Sequence, residues 1–352
     1  MFSDLGTGEV PERVHVVEDE RTGLECVIAL HSTALGPAAG GCRLWHYDDR
    51  AAMAADACRL AEGMSYKNAL AGLPLGGGKA VIRRPEGAFP RRALFEAFGR
   101  AVRGLGGDYV TAEDVGTSVE DMSVVAGETR FVAGLPPRPG AAGGDPSPWT
   151  ARGVFLSMRH AVERRLHRDL SECTVAIQGV GHVGSALARM LHKAGARLIL
   201  ADVDSATAAR VAVALGAELA SVDAILAAKA DVFAPCALGG VLNGRSIARL
   251  SAKVVCGAAN NQLRTAEDGE RLADKGVLYA PDFVVNAGGI INVAAEYLGW
   301  SPDDAAARVA ETPARLGEVL DFAARERLSP HQAAEALARR RIAAAPRSRV
   351  AA

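Results

Sequence analysis

Cys173-Thr-Val-Ala-Ile-Gln178 runs directly into Gly179-Val180-Gly181-His182-Val183-Gly184, and Arg197-Leu-Ile-Leu-Ala-Asp202 follows after one helical stretch. The first segment has the unbroken apolar character of a buried strand, and the residues after the glycines read as a helix to about Ala194. Glycine is common, so a lone G-x-G-x-x-G carries little weight. Strand, glycines, helix, second strand and terminal acid in that order make a dinucleotide-binding βαβ unit. Gly179 serves the tight turn, Gly181 the approach of a pyrophosphate, and Gly184 the packing of helix on strand. The helix N-terminus offers unpaired N–H groups and a positive dipole end to the phosphates. Asp202 lies eighteen positions after Gly184, where an acid can bind ribose hydroxyls and repel the extra phosphate of NADP. The cofactor expected on this reading is NAD, the plain alternative being an ordinary strand-end Asp.

Working outward, strand signals recur at Asp231-Val-Phe-Ala, Lys253-Val-Val-Cys and Val277-Leu-Tyr-Ala, separated by helical stretches. That alternation implies a parallel, doubly wound sheet. After Pro281 the pattern turns helical. Gly288-Gly289 precedes an apolar helix to Tyr297, Ser301-Pro302 and Ser329-Pro330 start two more, and the tail from Arg339 is expected to fray. Upstream, 24–31 reads as a strand and 33–43 as a loop. A helical pattern from Asp48 to Met64 places Met53, Ala57, Leu60 and Met64 on one face and delivers Lys67 at its C-terminal end. A second helix covers about Arg91 to Leu105. Tyr109-Val-Thr-Ala112-Glu-Asp114 is a short strand entering a polar turn, and Ser118 with Asp121 forms a capping box. Residues 135–149, rich in proline and glycine, read as a loop that closes the first domain.

A chain of 352 residues suggests two domains. Its formal net charge of −1 points neither to nucleic acid nor to a membrane surface. Six cysteines without C-x-x-C spacing read as reduced thiols, and eight histidines show no ligand spacing, so no metal is expected. Met1-Phe-Ser-Asp4 lacks the basic-then-apolar order of a signal peptide, and the longest apolar run is broken by Asn286, Asn292 and Glu296. The expected compartment is the cytoplasm.

The chemistry is expected in Gly63-Met-Ser-Tyr-Lys67-Asn-Ala-Leu-Ala-Gly-Leu-Pro-Leu-Gly-Gly-Gly-Lys79-Ala-Val-Ile82, which carries two lysines in an otherwise uncharged segment. Lysine is rarely buried without a reason. A desolvated lysine near a second cation should have a lowered pKa, suited to proton transfer near neutrality. The three glycines would let the main chain approach a ligand closely. This stretch alone does not separate that reading from a glycine-rich surface loop with two solvated lysines. Asp114 could hold an ammonium group, or simply form a turn.

The whole set of motifs resembles the glutamate/leucine/phenylalanine/valine dehydrogenase family. The resemblance runs from about Leu24 to Gly299. It rests on Gly36-Pro-Ala-Ala39-Gly40-Gly41, Met64-Ser-Tyr-Lys67, Leu75-Gly-Gly-Gly-Lys79, Glu113-Asp114-Val-Gly, Ala234-Pro-Cys-Ala237-Leu-Gly-Gly240, Cys256-Gly-Ala-Ala-Asn260-Asn261 and Tyr279-Ala-Pro-Asp-Phe-Val-Val-Asn286-Ala-Gly-Gly289. Its details look most like the branched-chain members. The resemblance implies an α/β fold in two domains with a cleft between them. Residues 1–149 would bind substrate and oligomerise, 150–285 would be the Rossmann-type NAD domain, and 286–352 would be helices returning toward the first domain.

The resemblance also implies roles. Lys67 would bind the substrate α-carboxylate with help from the backbone at Gly40 and Gly41. Lys79 would activate water, and Asp114 would stand beside the amino group. Ala39, Met64, Ala112, Ile290 and Val293 would line the substrate pocket. Thr150, Ala237, Asn260 and Asn261 would join the glycine loop around the cofactor. Ala39 replaces the family's usual leucine and Ile290 its usual valine, a pair that either repacks the pocket or changes its substrate. Trp149 and Arg152 also depart from the pattern around Thr150. The implied partners are an apolar amino acid, its 2-oxo acid and ammonia, acted on by a homo-oligomer, with no nucleic acid or membrane. Phenylalanine as substrate stays open, as does a non-catalytic regulator that binds NAD or an amino acid.

Overall fold

A computed structural model describes residues 10–136 and 139–345, which divide into two units. The first takes the described residues up to Asp145, with Asn292–Ala305 and those from Ala338 onward; the second takes Pro146–Ile291 and Ala306–Leu337.

The first unit is built on a sheet of β1 (Arg13–Asp19), β2 (Leu24–Ser32), β3 (Ala38–Ala39), β4 (Cys42–Trp45), β5 (Gly76–Arg83) and β6 (Tyr109–Val110). Its order is β1-β2-β5-β3-β6, with β4 also on β5. Its helices are α1 (Arg50–Leu70), α2 (Arg91–Gly104) and α3 (Val119–Ala126). The expected loop over 33–43 is therefore corrected. Ala38 and Ala39 pair in parallel with Gly76 and Gly77, and Cys42 pairs with Ala80. Such short strands are made by their neighbours' backbones rather than by any side-chain period. The edge strand β1 was likewise absent from the sequence reading.

The two-residue period of the strands sorts the core. Leu24, Cys26, Ile28, Leu30, Ala80 and Ile82 join the cluster that holds Phe95 and Phe98 of α2 and Met122 of α3. Val27, Ala29 and Val81 meet Met53, Ala57 and Ala61 of α1. The same alternation puts Lys79 on the α1 face. On α1, Met53 and Ala57 are buried as expected, whereas Leu60 and Met64 are half-buried.

The three glycines before Lys79 also serve the fold. They lie inside β5, and the chain that comes close is the protein's own. A Cβ at Gly77 would stand 2.1 Å from the Ser65 amide nitrogen, and one at Gly76 would stand 2.0 Å from the Ser32 carbonyl oxygen. At Gly77 the lack of a side chain lets α1 lie directly on the strand. Asn68 closes the contact by donating to the Gly76 carbonyl at 2.6 Å.

The second unit opens with α4 (Ser147–Leu166), so helix begins within the 135–149 loop reading. It then alternates β7 (Thr174–Gln178), α5 (His182–Lys193), β8 (Arg197–Ala201), α6 (Ser205–Leu215), β9 (Glu218–Leu219), β10 (Val232–Pro235), α7 (Gly244–Arg249), β11 (Val254–Val255), α8 (Glu267–Asp274) and β12 (Leu278–Tyr279). The order β12-β11-β10-β7-β8-β9 is parallel throughout, as the strand–helix alternation required. Helices α9 (Asp282–Val285), α10 (Gly288–Leu298), α11 (Pro302–Ala310), α12 (Thr312–Glu326) and α13 (Pro330–Ala343) follow. Helix α12 was not anticipated. The expected fraying from Arg339 is overturned as far as Ala343, which is helical; residues 347–352, like Met1–Asp4, lie outside the described residues. Among the described residues no helix is long and apolar enough to cross a membrane.

Candidate active site

Lys79 is 5% exposed in the middle of β5, and its Nζ lies 2.8 Å from Oδ2 of Asp114. The neighbour recorded at contact is thus a carboxylate, where the sequence suggested a second lysine. Asp114 stands in a turn held by Thr117. The Asp114 N–H donates to Thr117 Oγ1 at 2.8 Å, and that hydroxyl donates to the Cys42 carbonyl at 3.0 Å. Gly41 makes room for this turn, since a Cβ there would stand 2.5 Å from the Glu113 carbonyl oxygen. Burial alone would push the Asp114 carboxyl up. The Lys79 ammonium and then the Arg43 guanidinium outweigh it and hold the group below the usual carboxylate range. Its sequence neighbour Glu113 moves the other way, raised by burial and then by Asp145, Glu120 and Glu296.

The other expected residues of the substrate set are placed as follows. Ala39 is buried in β3 between Gly77 and Val110. Gly40 is packed against Gly78 and Met64, and its N–H already donates to the Val110 carbonyl at 3.2 Å. Its carbonyl accepts from the Tyr109 hydroxyl at 2.6 Å. Ala112 is buried and its carbonyl accepts from the Cys42 N–H at 2.8 Å. Lys67 is half-buried in the last turn of α1, the helix that covers the Lys79 face. Val293 and Ile290 are half-buried positions three apart on α10, Val293 falling in the first unit and Ile290 in the second.

Sequence reading missed Arg43. Its Nε lies 3.2 Å from Asp114 Oδ2, and its Nη1 lies 3.0 Å from Asp56 Oδ2. Tyr47 donates to that same Asp56 oxygen at 2.6 Å. The available signal was a charged residue inside Cys42-Arg-Leu-Trp45, two positions after the glycine pair.

In the second unit the glycine loop leaves the carboxyl end of β7. Gly179 has φ +96°, and a Cβ there would stand 2.8 Å from Ala237 Cβ, so those two expected residues are in contact. Gly184 is packed on the Gly179 carbonyl. No side chain caps α5, which begins at His182 with Val183 and Gly184 in its first turn. Helical first-turn N–H groups have no partner within the helix. A Cβ at Gly181 would meet nothing within 4 Å. Asp202 follows β8 at once and accepts from the Val180 N–H at 2.7 Å. An open glycine, an uncapped helix end and an acid beside the loop fit a dinucleotide. Asn260 Oδ1 accepts from Asn286 Nδ2 at 2.9 Å, and Asn261 has φ +50°, a left-handed backbone that asparagine tolerates. Thr150 in the first turn of α4 donates to the Pro146 carbonyl at 3.1 Å and abuts Gly289. Asn286 joins this group as a residue read only as part of a motif.

Two family models match the chain. One, for the Glu/Leu/Phe/Val dehydrogenase dimerisation domain, covers residues 11–131; the other, for Glutamate/Leucine/Phenylalanine/Valine dehydrogenase, covers 145–209 and 200–349. The chain belongs to the glutamate/leucine/phenylalanine/valine dehydrogenase family. The dehydrogenase is 44% identical to a leucine dehydrogenase of Bacillus subtilis over 96% of this chain and 93% of that one. It is 46% identical to a valine dehydrogenase of Streptomyces albus over 95% and 93%. Among solved structures it is similar to an L-tryptophan dehydrogenase from Nostoc punctiforme, with TM-score 0.84 and 37% identity over 99% of each chain. The protein is an amino-acid dehydrogenase, an oxidoreductase that works with a dinucleotide.

Proposed function

We propose that this dehydrogenase catalyses the NAD-dependent, reversible oxidative deamination of an apolar, branched-chain L-amino acid to its 2-oxo acid and ammonia. The observation that carries the proposal is the pairing of buried Lys79 with half-buried Asp114, 2.8 Å apart, in a chain whose relatives include leucine and valine dehydrogenases. NAD bound at Gly179–Gly184 and Asp202, beside Thr150, Ala237, Asn260 and Asn261, would supply a hydride acceptor. The chain's own side chains do the rest. Lys67 holds the substrate carboxylate. Asp114, kept ionised by Lys79 and Arg43, holds the substrate's ammonium group and relays its proton. Lys79 takes a proton from the water that adds to the iminium carbon, and in the carbinolamine Asp114 passes the hydroxyl proton to the amine, which leaves as ammonia while the C=O bond of the 2-oxo acid forms. Met64, Ala39, Ala112, Ile290 and Val293 shape the side-chain pocket. Support for NAD over NADP comes from the Asp202 carboxylate, which would repel a 2′-phosphate.

Ala39, small and buried, together with the L-tryptophan dehydrogenase among the relatives, favours a larger aromatic side chain as the second reading. One methylene discriminates by only about 1–3 kcal/mol in an apolar pocket, so the choice belongs to assay. The reading further takes the enzyme to be a cytoplasmic homo-oligomer in a closed symmetric assembly, to be checked by sedimentation. Two measurements test the chemistry. Reduction of NAD, with NADP as control, is followed across valine, leucine, isoleucine and phenylalanine, and no turnover on any of them would refute the proposal. Lys79→Ala should lose at least about 10²–10⁴-fold in kcat while still binding NADH; wild-type turnover would remove Lys79 from the mechanism.

A further inference from the structure

Both cations that meet Asp114 meet the same oxygen. Lys79 Nζ and Arg43 Nε lie 2.8 and 3.2 Å from Oδ2. Arg43 comes from β4 and Lys79 from β5, two strands paired in parallel. The guanidinium is itself held from behind by Asp56 of α1, at 3.0 Å from Nη1. Asp56 is fixed in turn by the Tyr47 hydroxyl at 2.6 Å and by Arg59 one turn further along α1. The side chains of Arg43 and Asp56 are only 21% and 15% exposed, which separates this chain of contacts from a solvated surface ion pair. A planar guanidinium with donors on two sides can bridge two carboxylates at fixed angles; an ammonium cannot.

We propose that Arg43 is a positioning residue for the deamination. Gripping Asp114 through Oδ2, it holds Oδ1 toward the substrate's amino group, and Asp56, Tyr47 and Arg59 hold Arg43. The inference rests on the reading of Asp114 and Lys79 given above. Arg43 also supplies what Lys79 cannot supply throughout the cycle. When Lys79 is neutral, the Asp114 carboxylate still has a cationic partner at the same oxygen. The acid is therefore kept in place at the stage where it relays the substrate's proton. The thiol of Cys42 is buried and pushed well up by that burial, so it stays neutral.

The experiment compares Arg43→Ala, Arg43→Lys and Asp56→Asn with Lys79→Ala and Asp114→Asn. Small displacements at a reacting centre cost roughly 10²-fold in rate. Arg43→Ala should lose about that in kcat and in kcat/KM alike, with NADH binding unchanged, and added guanidinium ion should restore part of it. Arg43→Lys should stay impaired, and Asp56→Asn, which contacts no substrate, should lose roughly tenfold in kcat. A role confined to stability would lower Tm without rescue of kcat by guanidinium, and that result overturns the proposal, as does wild-type kcat in Arg43→Ala. If Arg43→Ala does not fold, Asp56→Asn decides: reduced kcat with unchanged NADH binding supports the clamp, and unchanged kcat overturns it. Should Lys79→Ala and Asp114→Asn keep turnover, the underlying reading of the site fails. Should they lose it while Arg43→Ala does not, only the role of Arg43 falls.

Discussion

At the scale of single residues, the site depends on side chains that are missing as much as on those present. Gly77 is the sharpest case, because any β-carbon there would overlap the Ser65 backbone at 2.1 Å. Gly77→Ala is expected to lower stability by about 3 kcal/mol or more through overpacking, read as a fall in the urea midpoint; an unchanged midpoint would mean that α1 can lift away freely. Asp56 makes a prediction about pH. Burial would raise its pKa, but Tyr47, Arg43 and Arg59 together leave it below the ordinary 3.8. A depressed folded-state value stabilises above the unfolded pKa and ceases to do so as pH falls through the folded one. Asp56→Asn should therefore cost about 1.5–3 kcal/mol near neutrality, with the gap from wild type closing below pH 3.8. A gap independent of pH would show that charge is not what Asp56 contributes.

Elements differ in how openly the sequence displays them. The β7–α5–β8 unit was legible because its signal is chemical and local: an apolar strand, three spaced glycines, an amphipathic helix and a terminal acid. The strands β3 and β4 were not, since two to four residues carry no period and exist only by pairing with their neighbours, β3 with β5 and β6 and β4 with β5. In the glycine loop, three glycines that look equivalent in sequence behave unequally in space. Gly179 and Gly184 are hemmed in by Ala237 and by the Gly179 carbonyl, whereas Gly181 faces open space. Gly181→Ala should accordingly change stability by under about 1 kcal/mol yet weaken NADH affinity at least tenfold by titration. Equal affinity would argue that no pyrophosphate comes near that position. The candidate catalytic residues were legible as types, because lysines in an apolar segment need a reason. Arg43 was not, because its importance comes from what β4 places beside it rather than from its own neighbours in sequence.

Across the whole molecule, the first unit is discontinuous: α1 is finished by side chains that arrive from α13. Arg341 donates to the Ala69 and Leu70 carbonyls at 3.1 Å each, and Arg339 donates to the Tyr66 hydroxyl at 3.0 Å while lying over its ring. These carbonyls end the helix that carries Lys67, where backbone acceptors lack helical partners. Arg341→Ala should speed amide hydrogen exchange in the last turn of α1 before it alters global unfolding; identical exchange would show that α13 is dispensable there. This arrangement has a temporal meaning. The two partners of that contact are separated by 272 positions, so a ribosome has already released the residues around Lys67, Lys79 and Asp114 long before the arginines that fasten their helix emerge. Birth order and completion order are thus inverted in this unit: the part translated early is sealed late, and a nascent chain carries its candidate site unfinished until residue 341 has emerged.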